Sequence, residues 1–224
     1  LREAADLRER AANPVPAQPR TVRPPEVEPA GAPVPWKESF DELSAERWSL
    51  PKNPAGIVVE DGRLTLTLAG ANKSVAITSR DAFDFATRPV EIRFKFQYSH
   101  AGHQWYLMQG LRIGPTASGQ SGDYLLVRMD PRVQVRVENA EAPATNWQRT
   151  LTGWTQFKPN VPHEARLRLD GEKFRLEVDG RLVGEGPHGL GFGLGYITLM
   201  LYSGHGGHGD VCWFDDIEVV EAAP

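Results

Sequence analysis

Cysteine is nearly absent from this chain: Cys212 is the only one in 224 residues. One thiol excludes an intramolecular disulfide framework. Its setting, Val211-Cys212-Trp213-Phe214, reads as a buried and inert side chain rather than a reactive one. Charge imbalance is small as well. The 25 basic and 29 acidic residues leave a formal charge of −4, which argues against a dedicated nucleic-acid binder. No apolar run approaches the ~20 residues that a membrane-spanning helix needs, so no membrane span is expected. Long helix-like stretches are scarce, while 22 glycines and 18 prolines are available for turns. Neither a G-x-S-x-G elbow, an H-E-x-x-H pair nor a phosphate-cradling glycine loop occurs. The chain begins at Leu1 without an initiator methionine or a signal peptide, as expected of a processed form or of a piece of a longer protein.

Two compositions are present. In residues 1–35, Leu1, Ala4, Ala5, Leu7 and Ala11 fall on or near one face of a short helix that Pro14 ends. A proline then recurs every few residues up to Pro35. That favours extended polyproline geometry and bars the segment from a central sheet. Residues 1–35 are therefore expected to be either a linker or an arm that docks on its own domain or on a neighbouring subunit. Residues 36–224 read as one all-β domain. Ile92, Phe94 and Phe96 alternate with Glu91, Arg93, Lys95 and Gln97, the period of a half-buried strand. Asp170-Gly171 and Asp179-Gly180 are hairpin turns between further alternating segments. About a dozen short strands at this spacing predict a two-sheet antiparallel sandwich rather than βαβ units.

Parity assigns faces. In Tyr124–Asp130, Leu125, Val127 and Met129 share one side, and Tyr124, Leu126, Arg128 and Asp130 the other. In Val133–Glu138 the valines point inward and Gln134, Arg136 and Glu138 outward. In Tyr196–Tyr202, Ile197, Leu199 and Leu201 face the core, leaving Tyr196, Thr198, Met200 and Tyr202 open. Arg112 stands between Leu111 and Ile113. Trp48 and Trp213 fall in core strands, whereas Trp147 and Trp154 fall in a loop-like segment. The stretch Ser203–Asp210 sets His205 and His208 three residues apart, with Asp210 two further on. It admits three readings: a loop beside a ligand groove, a metal or catalytic site, or a glycine-rich turn with incidental histidines.

From Trp36 to Glu221 the chain resembles the concanavalin A-like lectin/glucanase superfamily, which includes laminin-G-like domains. The resemblance is carried by "FDELSAERWSL", "DGRLTL", "FRLEVDGRLV" and the closing "WFDDIEVV", in that order. It implies a jelly roll in which ligands lie across a concave sheet. That sheet would present Arg112, Tyr124, Arg128, Arg136 and Tyr202 as ligand-binding residues, with Trp105, His205 and His208 at its rim. Arg128 and Arg136 could equally form cross-strand ion pairs with Asp130 and Glu138.

Hydrolases of this fold carry E-x-D-x-E on one concave strand. The corresponding positions here hold Tyr124, Leu126 and Arg128, which disfavours retaining carboxylate chemistry on that strand. The main functional expectation is a non-catalytic, lectin-like module for an extracellular or cell-surface glycan, acidic if the arginines take part. One alternative is a glycan-active enzyme, either a polysaccharide lyase or a keto-glycoside-type hydrolase. His103, Tyr106 and His205 would then be the catalytic candidates, with His100 and Gln104 nearby. The other alternative is an adhesion or assembly module that engages a neighbour through residues 1–35. The resemblance also implies one structural calcium held by Asp215 and the Gly62 carbonyl, and an extracytoplasmic location.

Overall fold

A computed structural model describes residues 31–68, 74–99, 107–115, 124–128, 134–138, 147–150, 158–171, 173–188, 193–203 and 210–223. Residues 1–30, where the helix and most of the proline-rich arm are expected, lie outside this set. In the described residues the regular structure is all strand. The first group is β1 Trp36–Glu38, β2 Trp48–Ser49, β3 Ile57–Glu60, β4 Arg63–Thr67, β5 Ser74–Ser79 and β6 Phe83–Asp84. Next come β7 Val90–Tyr98, β8 Leu107–Gly114, β9 Tyr124–Arg128, β10 Gln134–Glu138 and β11 Trp147–Thr150. The last are β12 His163–Asp170, β13 Lys173–Val178, β14 Arg181–Pro187, β15 Leu194–Ser203 and β16 Val211–Glu221.

These strands make two antiparallel sheets. The first runs β14-β13-β12-β7-β16-β4-β3, with β1 also on β16; the second runs β11-β10-β9-β8-β15-β5-β2, with β6 also on β15. Local chemistry explains the turns. Asp61-Gly62 joins β3 to β4 and Asp179-Gly180 joins β13 to β14. All four residues have positive φ, between 49° and 72°, as a two-residue hairpin of matching twist requires. Alternation explains the core. Leu64, Leu66, Ile92, Phe94, Phe96, Leu167 and Phe214 from the first sheet meet Val75, Ile77, Leu111, Ile113, Leu125, Ile197 and Leu199 from the second in one buried cluster. Each such side chain contributes ~1.5–3 kcal/mol by leaving water.

One end of the sandwich is closed by an aromatic corner. The Trp36 ring meets those of Trp48 and Phe83 edge-on at 5.9 and 5.3 Å, and Phe40 stacks on Trp48 at 5.7 Å. A buried carboxylate serves its polar edges. Glu38 accepts the indole N–H of Trp48 at 2.8 Å and the amide of Phe40 at 3.1 Å, with the Arg47 guanidinium 3.4 Å away. The chain reaches this corner before β1. Ala32 donates its amide to the Ala82 carbonyl at 2.6 Å, and Ala32 and Val34 pack against the core.

One tryptophan differs from expectation, and a second meets it in an unexpected orientation. Trp147 opens β11, paired with Val137 of β10, where a loop was expected. Pairing with a neighbouring strand overrides the turn-rich composition around it. Trp213 is largely buried but stands outside the core cluster. Its neighbours Cys212 and Phe214 point inward, so its indole faces outward, beneath the Arg63 guanidinium at 4.7 Å.

Candidate functional site

The second sheet turns Leu111, Ile113, Leu125, Val127, Ile197, Leu199 and Leu201 into the core, so their neighbours form its outward face. The register aligns that face in rows. In the central row Thr78 pairs with Thr198, Thr198 with Arg112, Arg112 with Leu126, and Leu126 with Arg136. In the next row Ala76 pairs with Met200, Met200 with Gly110, and Gly110 with Arg128. Tyr196 lies opposite Gly114 on one flank, and Tyr202 lies opposite Ser74 on the other.

The central row is deeply set. Thr78, Thr198 and Leu126 expose 5%, 4% and 4% of their surface, while Tyr124, Arg128, Tyr196, Met200 and Tyr202 are partly exposed around them. The two threonine hydroxyls lie 3.0 Å apart across β5 and β15. The parity of Ser74–Ser79, with Val75 and Ile77 inward, is the signal that places Thr78 here, and the sequence reading had not used it. Gly110 has a steric reason. A Cβ at this position would fall 2.0 Å from the Val127 carbonyl oxygen, so only glycine lets β9 approach β8 this closely.

Arg112 is the central charged group. Its guanidinium carbon sits 4.1 Å from the centre of the Tyr124 ring, in cation–π contact. Burial pulls the Arg112 pKa below the usual guanidinium value, and the Tyr124 hydroxyl acts in the opposite sense. Along β5, β8, β9 and β15 none of the described side chains on this face is a carboxylate. The three positions expected to replace E-x-D-x-E do share this face, as Tyr124, Leu126 and Arg128. Their identities exclude a nucleophile and acid/base carboxylate pair on β9.

The structure thus brings Arg112, Tyr124, Arg128 and Tyr202 to one face. Arg136 holds the strand position opposite Leu126, with only its backbone described. Trp105, His103, Tyr106, His100, Gln104, His205 and His208 lie outside the described residues, as does Asp130. Asp210, which closes the histidine stretch, is buried at the entry to β16, where its carbonyl accepts the Leu68 amide at 3.0 Å.

The first sheet carries a cleft of about 380 Å³ on its outward side, lined in part by Lys37, Arg93, Lys95, Glu164, Asp216 and Glu218. Its charges are occupied with one another. Glu218 meets Lys37 at 2.5 Å and Arg93 at 3.3 Å, and Lys95 pairs with Asp216. That makes it a solvated ion-pair ladder and a weaker candidate than the second sheet.

Asp215 and Gly62 belong to the same side of the molecule. The chain opening, the Asp61-Gly62 turn and β16 converge there: a Cβ on Gly62 would lie 3.6 Å from the Ser39 carbonyl oxygen, and Glu38 pairs with Ile217. Asp215 accepts the Asp216 amide at 2.7 Å. Burial raises its pKa, the Asp216 charge adds to the rise, and Lys95 and Arg63 oppose it. Backbone carbonyls with one carboxylate are hard donors suited to calcium, whereas the two cations beside Asp215 compete for the same carboxylate. Among the described residues no group of three or more His, Cys, Asp or Glu side chains could hold a metal.

No protein-family profile and no curated protein matches the chain. Solved structures do match. An endo-acting O-glycanase of the human gut microbiota, of the kind that initiates mucin breakdown, shares 15% identity at a TM-score of 0.65, over 84% of this chain and 99% of that one. The Bacillus licheniformis β-glucanase shares 12% identity at a TM-score of 0.64, over 86% of this chain and 99% of that one. The κ-carrageenase of Pseudoalteromonas carrageenovora shares 14% identity at a TM-score of 0.62, over 90% of this chain and 100% of that one. All three are glycan-cleaving enzymes, not lectins, and this corrects the expectation of a non-catalytic, lectin-like module. The physical reason for that expectation was the lost acidic motif of β9, which bears on one catalytic route and not on catalysis in general. Among the described residues no helix is long and apolar enough to cross a membrane. The matches, over 84% to 90% of this chain, and the paired sheets give it the fold of a two-sheet jelly-roll sandwich.

Proposed function

We propose that this protein is a glycan-active enzyme whose polysaccharide substrate lies across the outward face of the second sheet. The observation that carries the reading is the recessed row Thr78–Thr198–Arg112–Leu126, flanked by Tyr124, Tyr196 and Tyr202. Tyrosine rings offer flat apolar faces to sugar rings, and threonine and arginine offer hydrogen bonds to hydroxyl or acidic groups. Whole-length likeness to a β-glucanase, an O-glycanase and a carrageenase supports a polymeric saccharide as the substrate. Work on an extended polymer outside the cytoplasm agrees with that class. Cleavage does not run through a carboxylate pair on β9, because Tyr124, Leu126 and Arg128 cannot form one.

The test is product analysis on a panel of β-glucans, mucin O-glycans, carrageenans and polyuronates. Shortened oligosaccharides are expected from at least one polymer. New reducing ends alone indicate hydrolysis, and unsaturated termini indicate elimination. Intact polymers across the panel, from folded protein that binds one of them, would overturn the reading.

A calcium ion at the corner of Ser39, Gly62 and Asp215 forms a separate proposal. It would tie the chain opening to β16 and take no part in bond cleavage. A chelator is then expected to lower the Tm by several degrees, and added calcium to restore it. A melt unchanged by either would remove the ion from the account.

A further inference from the structure

Resting on the reading of the second sheet as the substrate face, we propose that the hydroxyl pair Thr78–Thr198 is a specificity-determining contact. It receives an unsubstituted hydroxyl of a neutral sugar unit lying over β2, β5 and β15. This part of the face presents Ala76, Thr78, Thr198 and Met200 between Tyr196 and Tyr202. Trp48 turns into the core, so Ser49 faces outward opposite Thr78 and adds a third hydroxyl to the row. None of these side chains is charged. The cation Arg112 stands one strand further, opposite Thr198, with its guanidinium over the Tyr124 ring.

Thr78 and Thr198 are both more than nine-tenths buried, and their hydroxyls lie 3.0 Å apart. Two hydroxyls bring two protons and four lone pairs. One proton is used between them, whichever oxygen donates it. The second O–H is therefore left over, with lone pairs of both oxygens beside it. A recessed donor without an acceptor is costly, so the pair calls for a partner from the groove. A sugar hydroxyl fits, because it accepts from the spare O–H and donates to a lone pair at once. A methylated or acetylated oxygen has no proton to donate and adds bulk. A carboxylate or sulfate would shed water here and meet no cation on β2, β5 or β15. Tyr196 is the next outward residue along β15, about 7 Å from Thr198, near enough to lie against the same sugar ring.

The experiment runs calorimetry and initial rates on the full chain. The polymers are a mixed-linkage β-glucan, a mucin O-glycan and a carrageenan, each also after partial O-methylation. Wild type is compared with Thr198→Val, with the double variant Thr78→Val/Thr198→Val and with Thr198→Ser, and thermal melts confirm that each is folded. Valine keeps the shape and removes the hydroxyl, and exchanging both partners of a buried hydrogen bond leaves stability nearly unchanged. On the polymer that wild type cleaves, Kd and KM are expected to rise about three- to tenfold in both valine variants, and Thr198→Ser to restore most of the loss. O-methylation is expected to weaken wild type more than the double variant, which has already lost the contact. Valine variants that match wild type in Kd and KM would overturn the proposal, assigning the spare O–H to a buried water, and leave the enzyme reading standing. Equal losses on methylation in the two proteins would overturn the unsubstituted hydroxyl as partner. Binding weakened by the valine variants, with no polymer cleaved, would uphold the contact and overturn the enzyme reading. Binding of none of the polymers by wild type would overturn both.

Discussion

At Glu38 a single buried carboxylate holds together the corner where the chain enters the sandwich. It is 6% exposed, accepts from an indole and a backbone amide, and forms an ion pair with a neighbouring guanidinium. Glu38→Ala strands the Trp48 and Phe40 donors in a dry setting, so a loss of ~2–3 kcal/mol is expected; urea unfolding measures it. Gln at this position keeps one oxygen for the indole and is expected to lose less. Cys212 is the opposite case, a residue that the sequence alone describes. Its apolar neighbours predict an inert thiol, and burial does push that thiol well above its usual pKa. Trp213, next to it, does fall in a core strand as expected, but the side it takes was not legible. Burial was legible in "VCWF", but which side of the strand each residue takes was not, because four apolar residues in a row carry no alternation.

At the scale of elements, β8 and β9 build the candidate site, and their closeness depends on Gly110. Gly110→Ala places a methyl group 2.0 Å from the Val127 carbonyl oxygen, a backbone atom that cannot swing aside. The expected result is a loss of ~1–3 kcal/mol in urea unfolding, together with weaker glycan binding as Arg112 and Arg128 move apart. On the first sheet β1, β7 and β16 are joined by a ladder of charges. The Lys37 ammonium and the Arg93 guanidinium hold the Glu218 pKa below its usual value of 4.5. A carboxylate with a depressed folded pKa stabilises above its unfolded value and loses that contribution as pH falls through the folded one. The Tm is therefore expected to decline below about pH 4.5, and less steeply in Glu218→Gln; equal slopes in the two proteins would remove Glu218 from the acid response. Partial exposure keeps the effect small. The Asp179-Gly180 hairpin of this sheet was legible, since Asp-Gly between alternating strands favours positive φ at both turn residues, whereas at Asp170-Gly171 only the glycine has positive φ and Asp170 is the last residue of β12. The Thr78–Thr198 contact was not, because it joins residues 120 apart in sequence.

At the scale of the whole molecule the sandwich gathers residues 31–35 into itself. Deleting residues 1–30 is expected to leave the Tm within about a degree or two, because a proline-rich segment cannot add ladder bonds to a central sheet. Deleting residues 1–35 also removes the Ala32–Ala82 bond and the packing of Val34, and a clear drop in Tm is expected. Equal melts for the two deletions would show that residues 31–35 contribute nothing to stability. The catalytic reading belongs to this scale as well. The loss of acids from β9 was visible in the sequence and suggested a lectin-like module, but the whole-length likeness to glycan-cleaving enzymes reversed that weighting.

By itself the sequence determined the all-β class, the two-sided strands and the hairpin turns, because alternation and turn chemistry act within a few residues. It also determined that β9 carries no carboxylate pair, which is a matter of residue identity alone. Only the tertiary structure decided that Arg112 rests on Tyr124, that Gly110 admits β9, that Trp213 faces outward, and that Thr78 joins the central row. Those facts depend on which strands become neighbours and in what register, and pairing across long stretches of chain leaves no local periodic trace in the residues that make it.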